Sequence, residues 1–476
     1  MFKVCVIGAG AIGFTRGIVK DILSIKEFQN TVEFSFFDIS AQYLDYTYKL
    51  VLKDIEANGL TNKVTATTDR LEALKDAKYV LNFARVGMTE AFETDIMIPL
   101  KYGIDQCVGD TLCAGGIMYG QRGIAVMLDI CKDIKKVARE DVLFLNYGNP
   151  NAMLTWAINT FGGVKCLGLC HGVQHGSYLI ARVLGIPHNE LAYSCVGINH
   201  QTWYIRLAHK GRLIGSEELL KALENDPDAS RTEKVRIDML RRFGYFSTES
   251  NGHLSEYVPW YRKRKDDIIN WVDTSCWING ETGGYLREIK AGRNYIENEF
   301  DKIYAQPAYV FDTNRISDEH ASQIIRGLET DFVYRGHFNV INNGVITNLP
   351  DDCVVEVPGY IDRNGINIPV VGDLPLGCAA VCNASISVQR LAVHAAVKGD
   401  DFLLRQAFMM DPLTGAVCNP PEIWQLVDEM LVAQEKWLPQ YKKAIAEAKK
   451  RLADKSKLIP TDENYRGGAL RPQDMK

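Results

Sequence analysis

The chain has 476 residues, of which 46% are hydrophobic and 24% are charged, with a net charge of −5. That length suits two closely packed domains or one large domain, and the composition is that of a globular protein. The acidic balance argues against electrostatic binding to nucleic acid or to anionic lipid, so we expect no nucleic-acid partner. We expect no membrane association either, because no apolar run approaches the roughly 20 residues of a membrane span.

The twelve cysteines show no paired spacing, so we do not expect a disulfide framework. The N-terminus runs directly into an apolar strand pattern, without the features of a secretory signal. A reducing compartment suits free thiols. We therefore expect a cytoplasmic protein.

The first part of the chain alternates short apolar runs with segments of helical spacing. Such runs predict buried parallel strands, and the alternation is typical of a doubly wound α/β sheet of the Rossmann type, covered on both faces. The predicted strands lie at 3–8, 32–37, 64–68, 79–83, 142–147 and 165–169, and the predicted helices at 11–23, 44–57 and 117–137.

From about residue 200 the pattern changes to a mixture of strands and helices, with no linker before it. We therefore predict a Rossmann-type domain over 1–195 and a packed α+β domain over 196–476. A polar tail follows residue 460. Strands are predicted at 204–208 and 354–357, and helices at 216–224, 321–330, 384–397 and 421–449.

A GxGxxG motif joins the first predicted strand to the first helix. Its first glycine makes the tight turn, its second lets backbone approach a pyrophosphate, and its third allows close packing of helix on strand. An acidic residue at the end of the second strand would bind ribose hydroxyls and disfavour a 2′-phosphate, which predicts NAD rather than NADP. The predicted cofactor-binding residues are Gly8, Gly10, Ala11, Ile12, Gly13 and Asp38.

Cys170 follows a predicted parallel strand directly, at the sheet edge where ligands of open α/β sheets bind. His171 and His175 come next, and His200 ends a second apolar run. A thiolate and an imidazole can hold a divalent metal beside a nicotinamide ring. The spacing is not that of a structural zinc site, so the choice lies between an open catalytic site and an ordinary buried thiol.

Two amides, Asn146 and Asn149, close the strand that precedes Cys170. They have two interpretations of equal weight. They bind sugar or ribose hydroxyls, or they form an ordinary Asn-Pro turn.

Taken together, these segments resemble the NAD- and manganese-dependent glycosidases of glycoside hydrolase family 4. The resemblance covers nearly the whole chain and implies a lactate/malate dehydrogenase-like Rossmann domain, an α+β remainder, and a homodimer or homotetramer. The segments that carry it are GAGAIG (8–13), GDTLCAGGIM (109–118), NYGNPNAM (146–153), CHGVQ (170–174), GINH (197–200), FGYFSTESNGHLSEYVPWY (243–261) and NLPDDCVVEVPGYIDRNGI (348–366).

The family's chemistry departs from that of glycosidases with two carboxyl groups. The resemblance implies that NAD⁺ takes a hydride from C3 of the sugar, a Mn²⁺ ion polarises the resulting ketone, and a base removes the C2 proton. Elimination of the aglycone, addition of water and return of the hydride complete a net hydrolysis.

Mapped onto this chain, the resemblance implies that Cys170 and His200 are the metal ligands and that Asn149 contacts the substrate. It implies Tyr257 as the base, although a tyrosine with an ordinary pKa near 10 needs a cation to act at neutral pH. An aromatic residue packed at an edge is the alternative for Tyr257. In one subgroup of the family the base is an aspartate, and the corresponding residue here is Asn251, which cannot be a base. Tyr257 is therefore favoured, and His253 and Glu249 are the alternative candidates.

His171 occupies the position that distinguishes enzymes for non-phosphorylated sugars, and we assign it as the acid for the leaving group or as a residue that positions the metal. The segment 243–261 most resembles the α-galactosidase (melibiase) branch. Melibiases typically have serine at the position of Gly172, and glycine there is more common in α-glucosidases and α-glucuronidases. Arg85 suits an anionic group at C6, with cofactor phosphate or a structural ion pair as its alternatives. An α-galactoside is therefore the expected substrate, ahead of an α-glucoside or a glucuronide or galacturonide.

Two other functions stay open. A 2-hydroxyacid dehydrogenase of similar fold would need an Arg/His/Asp set and would release NADH stoichiometrically. A catalytically silent NAD sensor would bind the cofactor and turn over no glycoside.

Overall fold

The computed structural model describes residues 2–471. Thirteen strands within these residues form one continuous sheet. They are β1 (Phe2–Ile7), β2 (Val32–Phe37), β3 (Val64–Thr67), β4 (Tyr79–Asn82), β5 (Leu143–Asn146), β6 (Cys166–Gly168), β7 (Leu191–Ile198), β8 (Gln201–His209), β9 (Arg212–Leu213), β10 (Phe246–Ser247), β11 (Tyr334–Ile341), β12 (Val354–Asp362) and β13 (Gly365–Asn367).

Nineteen α-helices surround the sheet in the described part of the chain. They are α1 (Ile12–Leu23), α2 (Ala41–Ala57), α3 (Arg70–Leu74), α4 (Met88–Leu100), α5 (Cys113–Val137), α6 (Asn151–Ala157), α7 (Gly172–Leu184), α8 (Ser216–Asn225), α9 (Ala229–Thr232), α10 (Lys234–Phe243), α11 (Asn251–Tyr257), α12 (Ile268–Trp271), α13 (Gly284–Ala305), α14 (His320–Glu329), α15 (Leu376–Lys398), α16 (Asp401–Met410), α17 (Pro412–Val417), α18 (Pro420–Ala433) and α19 (Lys442–Ala453).

The first six strands form a parallel sheet in the order β3-β2-β1-β4-β5-β6. This is the strand order of a Rossmann fold, and the predicted α/β class is confirmed. Both faces are covered, since Val4 and Val6 of β1 pack in one core cluster while Cys5 and Ile7 pack in another. That two-sided burial explains why the strands read as continuous apolar runs.

The sheet continues beyond β6 with antiparallel strands, in the order β11-β12-β7-β8-β10. Strands β7 and β8 form a hairpin in which Ile198 pairs with Gln201, so the turn consists of Asn199 and His200. Because β12 pairs with β7 and β11 pairs with β6, this turn lies near the carboxyl end of β6. The division into domains at residue 195 stays a prediction, and β7 passes through that position.

The predicted single helix over 421–449 is wrong. Helix α18 ends at Ala433 and α19 begins at Lys442, with two short 3₁₀ turns between them. Pro439 lies in this break, where it lacks the N–H for a helical hydrogen bond and would clash with the preceding turn.

Helix α15 is the one helix among residues 2–471 that is long and apolar enough to cross a membrane, with a mean hydropathy of 1.3 in its most apolar window. The sequence pattern did not predict such a run. Half of that window is buried inside the protein. Its side chains, among them Cys378, Ile386 and Val393, belong to the same core as α5 and α6, so it packs as a core helix.

The buried ion pair of Arg262 and Asp105 fixes the loop that leads to the candidate site. Both side chains are fully buried, and Asp105 also accepts the Gly468 N–H at 2.7 Å. We expect Arg262→Ala to lower the free energy of unfolding by about 3–5 kcal/mol in chemical denaturation, because it leaves a buried charge unpaired. The matched control Arg139→Ala removes an exposed pair with Asp141 and should cost less than about 1 kcal/mol. Equal losses of stability in the two variants would contradict a stabilising role for the buried ion pair of Arg262 and Asp105.

Candidate functional site

The glycine-rich turn of the first βα unit has the geometry of a dinucleotide site. Gly8 adopts a left-handed φ of 78°, and a Cβ there would lie 2.6 Å from the Ala84 nitrogen. Helix α1 then begins without a side-chain cap on its first turn, which leaves N–H groups for an anion. The turn therefore fits a phosphate at the N-terminus of α1.

Asp38 lies at the end of β2 and is tied to this turn. Its Oδ2 accepts the Gly10 N–H at 2.8 Å, and its Oδ1 accepts the Ser40 N–H at 2.8 Å. A Cβ on Gly10 would lie 2.8 Å from Asp38 Oδ2, so glycine is required there by the carboxylate itself.

The predicted reason for the third glycine is wrong. A Cβ built on Gly13 meets no atom within 4 Å, and the residue is exposed in the first turn of α1. Helix packing on the strand therefore does not require glycine at this position, because this side of α1 faces open space.

A cavity of about 520 Å³ follows the turn and contains Gly8, Gly10, Ala11 and Asp38 in its walls. Its far wall is α13, which contributes Ile289, Gly292, Arg293 and Ile296 and belongs to the predicted second domain. Two contacts hold α13 in place. Tyr43 of α2 donates to Glu297 at 2.5 Å, and the Tyr46 ring stacks on Phe300 at 3.8 Å. No motif in α13 indicated this contribution.

We expect Asp38→Ala to weaken NAD binding about 10- to 100-fold and to narrow the gap to NADP, because a charged acceptor for the ribose hydroxyls is lost. Titration of the cofactor by fluorescence measures both affinities. Asp38→Asn keeps one acceptor oxygen for the backbone and separates the loss of charge from damage to the turn. Asp45→Ala on the exposed face of α2 should bind NAD normally. A wild-type protein that binds NADP more tightly would contradict the assignment.

At the carboxyl end of β6, Cys170 and His200 come together with Glu249. One ligand atom from each of the three lies within 4.8 Å of the other two. Glu249 Oε2 is 2.8 Å from His200 Nε2 and 3.8 Å from Cys170 Sγ. The sulfur, nitrogen and oxygen atoms form a donor set that can hold a divalent metal. From the sequence, Glu249 was expected only as an alternative candidate for the base and not as a metal ligand.

The charges in this group depend on each other. Burial and, after it, the Glu249 carboxylate raise the pKa of the Cys170 thiol to about 12, although His200 opposes both. Burial would also raise the pKa of Glu249, but His200 and His253 lower it well below its ordinary value. A cation at this point would replace the protons of the thiol and the imidazole.

A hydrogen-bonded chain orients the His200 ring from behind. Its Nδ1 lies 2.9 Å from Thr111 Oγ1, and the Thr111 hydroxyl donates to Asp110 Oδ1 at 2.8 Å. The Asn149 amide donates to Asp110 Oδ2 at 2.9 Å. This arrangement leaves Nε2 for a metal, as is usual for ligating histidines. Asn149 is thus part of the site, whereas Asn146 is buried and bonds Asn82 and Gly148.

Tyr257 is buried at the end of α11, with its hydroxyl 3.5 Å from His200 Nδ1. Burial raises its pKa well above 10, and nearby Glu256 and Asp110 raise it further. Glu256 accepts N–H groups of Cys107 and Gly109 at 2.7 and 2.9 Å, which joins α11 to the loop that carries Asp110. Helix α11 therefore holds Tyr257, the predicted base, beside Cys170, His200 and Glu249. A cation is needed for the phenol of Tyr257 to act as a base.

His171 lies next to Cys170 in the chain, but its ring pairs with a different carboxylate, that of Glu319. Its Nε2 is 2.9 Å from Glu319 Oε2, and Tyr147 donates to the other oxygen of Glu319. Burial lowers the pKa of His171, but the Glu319 carboxylate outweighs it and raises the pKa above its ordinary value. The arrangement favours a protonated ring, as an acid requires. No sequence signal pointed to Glu319.

Arg85 lies in an aromatic cage in the wall of the cofactor cavity, so cofactor phosphate stays an alternative partner for it. Its guanidinium is 4.0 Å from the Phe92 ring centroid, 4.9 Å from Tyr119 and 5.2 Å from Tyr285. No carboxylate among residues 2–471 forms an ion pair with it, so the structural ion pair considered for it is not found there. The charge remains available to a ligand.

Two further side chains near Tyr257, those of Asn251 and His253, make specific hydrogen bonds. Asn251 is fully engaged, accepting the Val235 N–H at 2.7 Å and donating to Asn279 O at 2.8 Å, so it supports the fold. The His253 Nδ1 bonds Ser250 at 2.7 Å, and its ring meets His200 edge to face at 4.9 Å. Asp110, His200 and His253 form a second group of potential ligands that overlaps the first.

Comparison with known proteins decides the family. The model of the family 4 glycosyl hydrolases matches residues 3–186, and the model of their C-terminal domain matches residues 195–414. The chain belongs to glycoside hydrolase family 4. This confirms the predicted family and the enzyme class.

Two curated relatives of this family 4 hydrolase are similar over nearly their whole length. An α-galactosidase of Rhizobium meliloti is 56% identical over 95% of this chain and 92% of the relative. An α-galactosidase of Bacillus subtilis is 33% identical over 93% of this chain and 100% of the relative. A solved 6-phospho-α-glucosidase from gut microorganisms, in complex with NAD and glucose-6-phosphate, is 25% identical with a TM-score of 0.72 and covers 93% of this chain and 100% of that one.

The structure of the 6-phospho-β-glucosidase from Thermotoga maritima, with manganese, NAD⁺ and glucose-6-phosphate, has the same fold. Its TM-score is 0.74 at 24% identity, and the match covers 92% of this chain and 99% of that one.

Proposed function

We propose that this family 4 enzyme hydrolyses α-galactosides with NAD and a divalent metal, Mn²⁺ being the expected ion. The observation that carries the proposal is that a dinucleotide cavity and the Cys170, His200 and Glu249 group both lie at the carboxyl ends of the parallel strands of one sheet. The α-galactoside is supported by the 56% identical relative, which is an α-galactosidase.

The residues present fit both groups. The uncapped N-terminus of α1 and the carboxylate of Asp38 suit a pyrophosphate and a ribose. Cys170 and His200, with Glu249, offer one sulfur, one nitrogen and one oxygen atom to a metal. When bound, the nicotinamide supplies a hydride acceptor and donor, and the divalent cation supplies Lewis acidity at the sugar hydroxyls.

The side chains of the site take the remaining roles. Tyr257 removes the proton at C2 of the sugar, and its burial beside His200 keeps bulk water away from the phenol. His171, whose ring is hydrogen-bonded to Glu319, donates a proton to the leaving oxygen. Asn149 binds a sugar hydroxyl while its amide stays fixed by Asp110.

Arg85 favours a second candidate substrate. A guanidinium with no carboxylate partner in the described residues suits the carboxylate of an α-galacturonide or an α-glucuronide. In the α-galactosidase assignment, the same side chain donates to the C6 hydroxyl. Arg85 alone is therefore compatible with both neutral and acidic sugars, and the measured substrate preference separates the two candidates.

A panel of nitrophenyl glycosides tests the proposal, with NAD⁺, Mn²⁺ and a reductant that protects Cys170. We expect hydrolysis of the α-galactoside at a kcat/KM at least about tenfold above that of the α-glucoside or the uronides. A higher kcat/KM for a uronide would transfer the assignment to the second candidate. Stoichiometric release of NADH would indicate a dehydrogenase, and turnover of no glycoside would indicate a sensor.

We also propose a cytoplasmic homodimer or homotetramer, with the division at residue 195 separating the cofactor domain from the catalytic one. Free cysteines support the compartment, since eleven of the twelve are buried as thiols. Sedimentation analysis measures the number of subunits.

A further inference from the structure

A second cavity of about 380 Å³ opens beside α7 and α14. Its walls include Tyr178, Tyr193, Gln323, Tyr334 and His337. It shares no residue with the walls of the cofactor cavity or with the metal-binding group. Its size is in the range of small-molecule sites, and nothing in the proposed mechanism uses it.

Two polar atoms of this cavity's lining residues are buried and have no hydrogen-bond partner in the described part of the chain. They are His337 Nε2, on a side chain that is only 4% exposed, and Gln323 Oε1. Burial lowers the pKa of His337 to about 3, so its ring is neutral at physiological pH. An unpartnered buried group costs free energy that a ligand hydrogen bond recovers.

The charged groups of the cavity are balanced. The Asp318 carboxylate accepts the Tyr178 hydroxyl, and the Arg335 guanidinium donates to the Tyr193 carbonyl at 3.1 Å. No carboxylate pairs with Arg335 among residues 2–471. One positive and one negative side chain give no net attraction for an anion or a cation.

The cavity walls are aromatic. Tyr178 and Phe332 are 42% and 37% exposed at its rim, and Tyr193 lies parallel to His337 with ring centroids 5.8 Å apart. Such rings offer apolar faces of fixed orientation at a low cost in side-chain entropy.

We propose that this cavity is a second binding site, for a neutral saccharide. The hydroxyls of the saccharide supply the donors that His337 Nε2 and Gln323 Oε1 lack, and its C–H faces pack on the tyrosine rings. An apolar ligand would leave the buried acceptors unpaired, and the balance of Arg335 against Asp318 gives a phosphorylated ligand no net attraction.

The cavity is joined to the candidate catalytic site by two hydrogen bonds. His320 Nε2 donates to the Cys170 carbonyl at 2.9 Å, so in the neutral ring its Nδ1 accepts the Tyr334 hydroxyl at 2.7 Å. A sugar that contacts Tyr334 therefore lies two hydrogen bonds from the backbone of Cys170.

Equilibrium dialysis of labelled galactose against the complete enzyme with NAD⁺ and Mn²⁺ tests the proposal. The choice of galactose as the probe rests on the proposed function, whereas the cavity itself does not. We expect two galactose molecules bound per wild-type chain. Arg335→Ala and Gln323→Ala should each weaken one of the two by about tenfold, and the control Arg264→Ala at a remote exposed position should weaken neither. Hydrolysis of the α-galactoside, measured in parallel, reports separately on the proposed function.

One galactose per wild-type chain, or two in both cavity variants with unchanged affinity, would overturn the proposal. Adenosine that binds the wild type and is lost in Arg335→Ala, with no change for galactose, would assign the cavity to a nucleoside. A lower sedimentation coefficient of Arg335→Ala would make this face a subunit contact and would also overturn it.

Discussion

Replacing either predicted metal ligand should abolish turnover while the protein still binds NAD. We expect Cys170→Ser and His200→Ala to lower kcat/KM by about a thousandfold, because metal Lewis acidity contributes several kcal/mol to such reactions. Both side chains lie in the group with Glu249 and not in the walls of the cofactor cavity, so cofactor binding should change little. Electron paramagnetic resonance of Mn²⁺ should show affinity at least about a hundredfold weaker.

Matched controls separate these effects from general damage. Cys166→Ser changes another buried thiol, on β6 and four positions earlier. His209→Ala changes a histidine that pairs with Glu190 at the far end of β8. Both controls should keep the affinity for Mn²⁺. Near wild-type activity of Cys170→Ser without added metal would show that the site has been assigned wrongly.

Tyr257→Phe should lose most of the hydrolysis and keep the first redox step. Removal of a general base costs about 10²- to 10⁴-fold in rate. Hydride transfer precedes proton removal in the proposed reaction, so bound NAD⁺ should still be reduced in a single turnover followed at 340 nm. Tyr261→Phe removes another buried hydroxyl, which donates to Asp238 at 2.9 Å outside the site, and should keep its activity.

Solvent exchange gives this prediction a second measurement. Hydrolysis in D₂O should place deuterium at C2 of the released sugar, since the removed proton exchanges before water adds. A product free of deuterium would indicate a shielded base that does not exchange. Full activity of Tyr257→Phe would transfer the role to Glu249, which lies 2.8 Å from His200, or to His253.

Removal of the metal tests the argument about the pKa of Tyr257. Burial and two carboxylates raise the pKa of Tyr257, so the phenol acts as a base only where a cation offsets them. Adding a chelator to the wild-type enzyme should therefore stop C2 exchange as completely as Tyr257→Phe does. C2 exchange that survives complete removal of the metal would exclude a cation-dependent phenol.

The amino-acid sequence by itself determined the Rossmann half of the fold and the place of the site. Buried parallel strands and the glycine-rich turn leave local patterns, because burial on both faces makes a strand apolar throughout and the tight turn requires Gly8. Position at a strand end was enough to select Cys170 and Asp38. His200 was selected with Cys170 as a second metal-binding side chain, and the family resemblance added Tyr257, which the structure places beside His200.

Only the tertiary structure decided which side chains join them. Glu249 lies 79 positions from Cys170, Thr111 lies 89 from His200, and Glu319 lies 148 from His171. Contacts at such separations leave no periodic pattern in either segment. Helix α13 covers the cofactor cavity for the same reason, since its placement depends on contacts with α2 that appear only after the chain has folded.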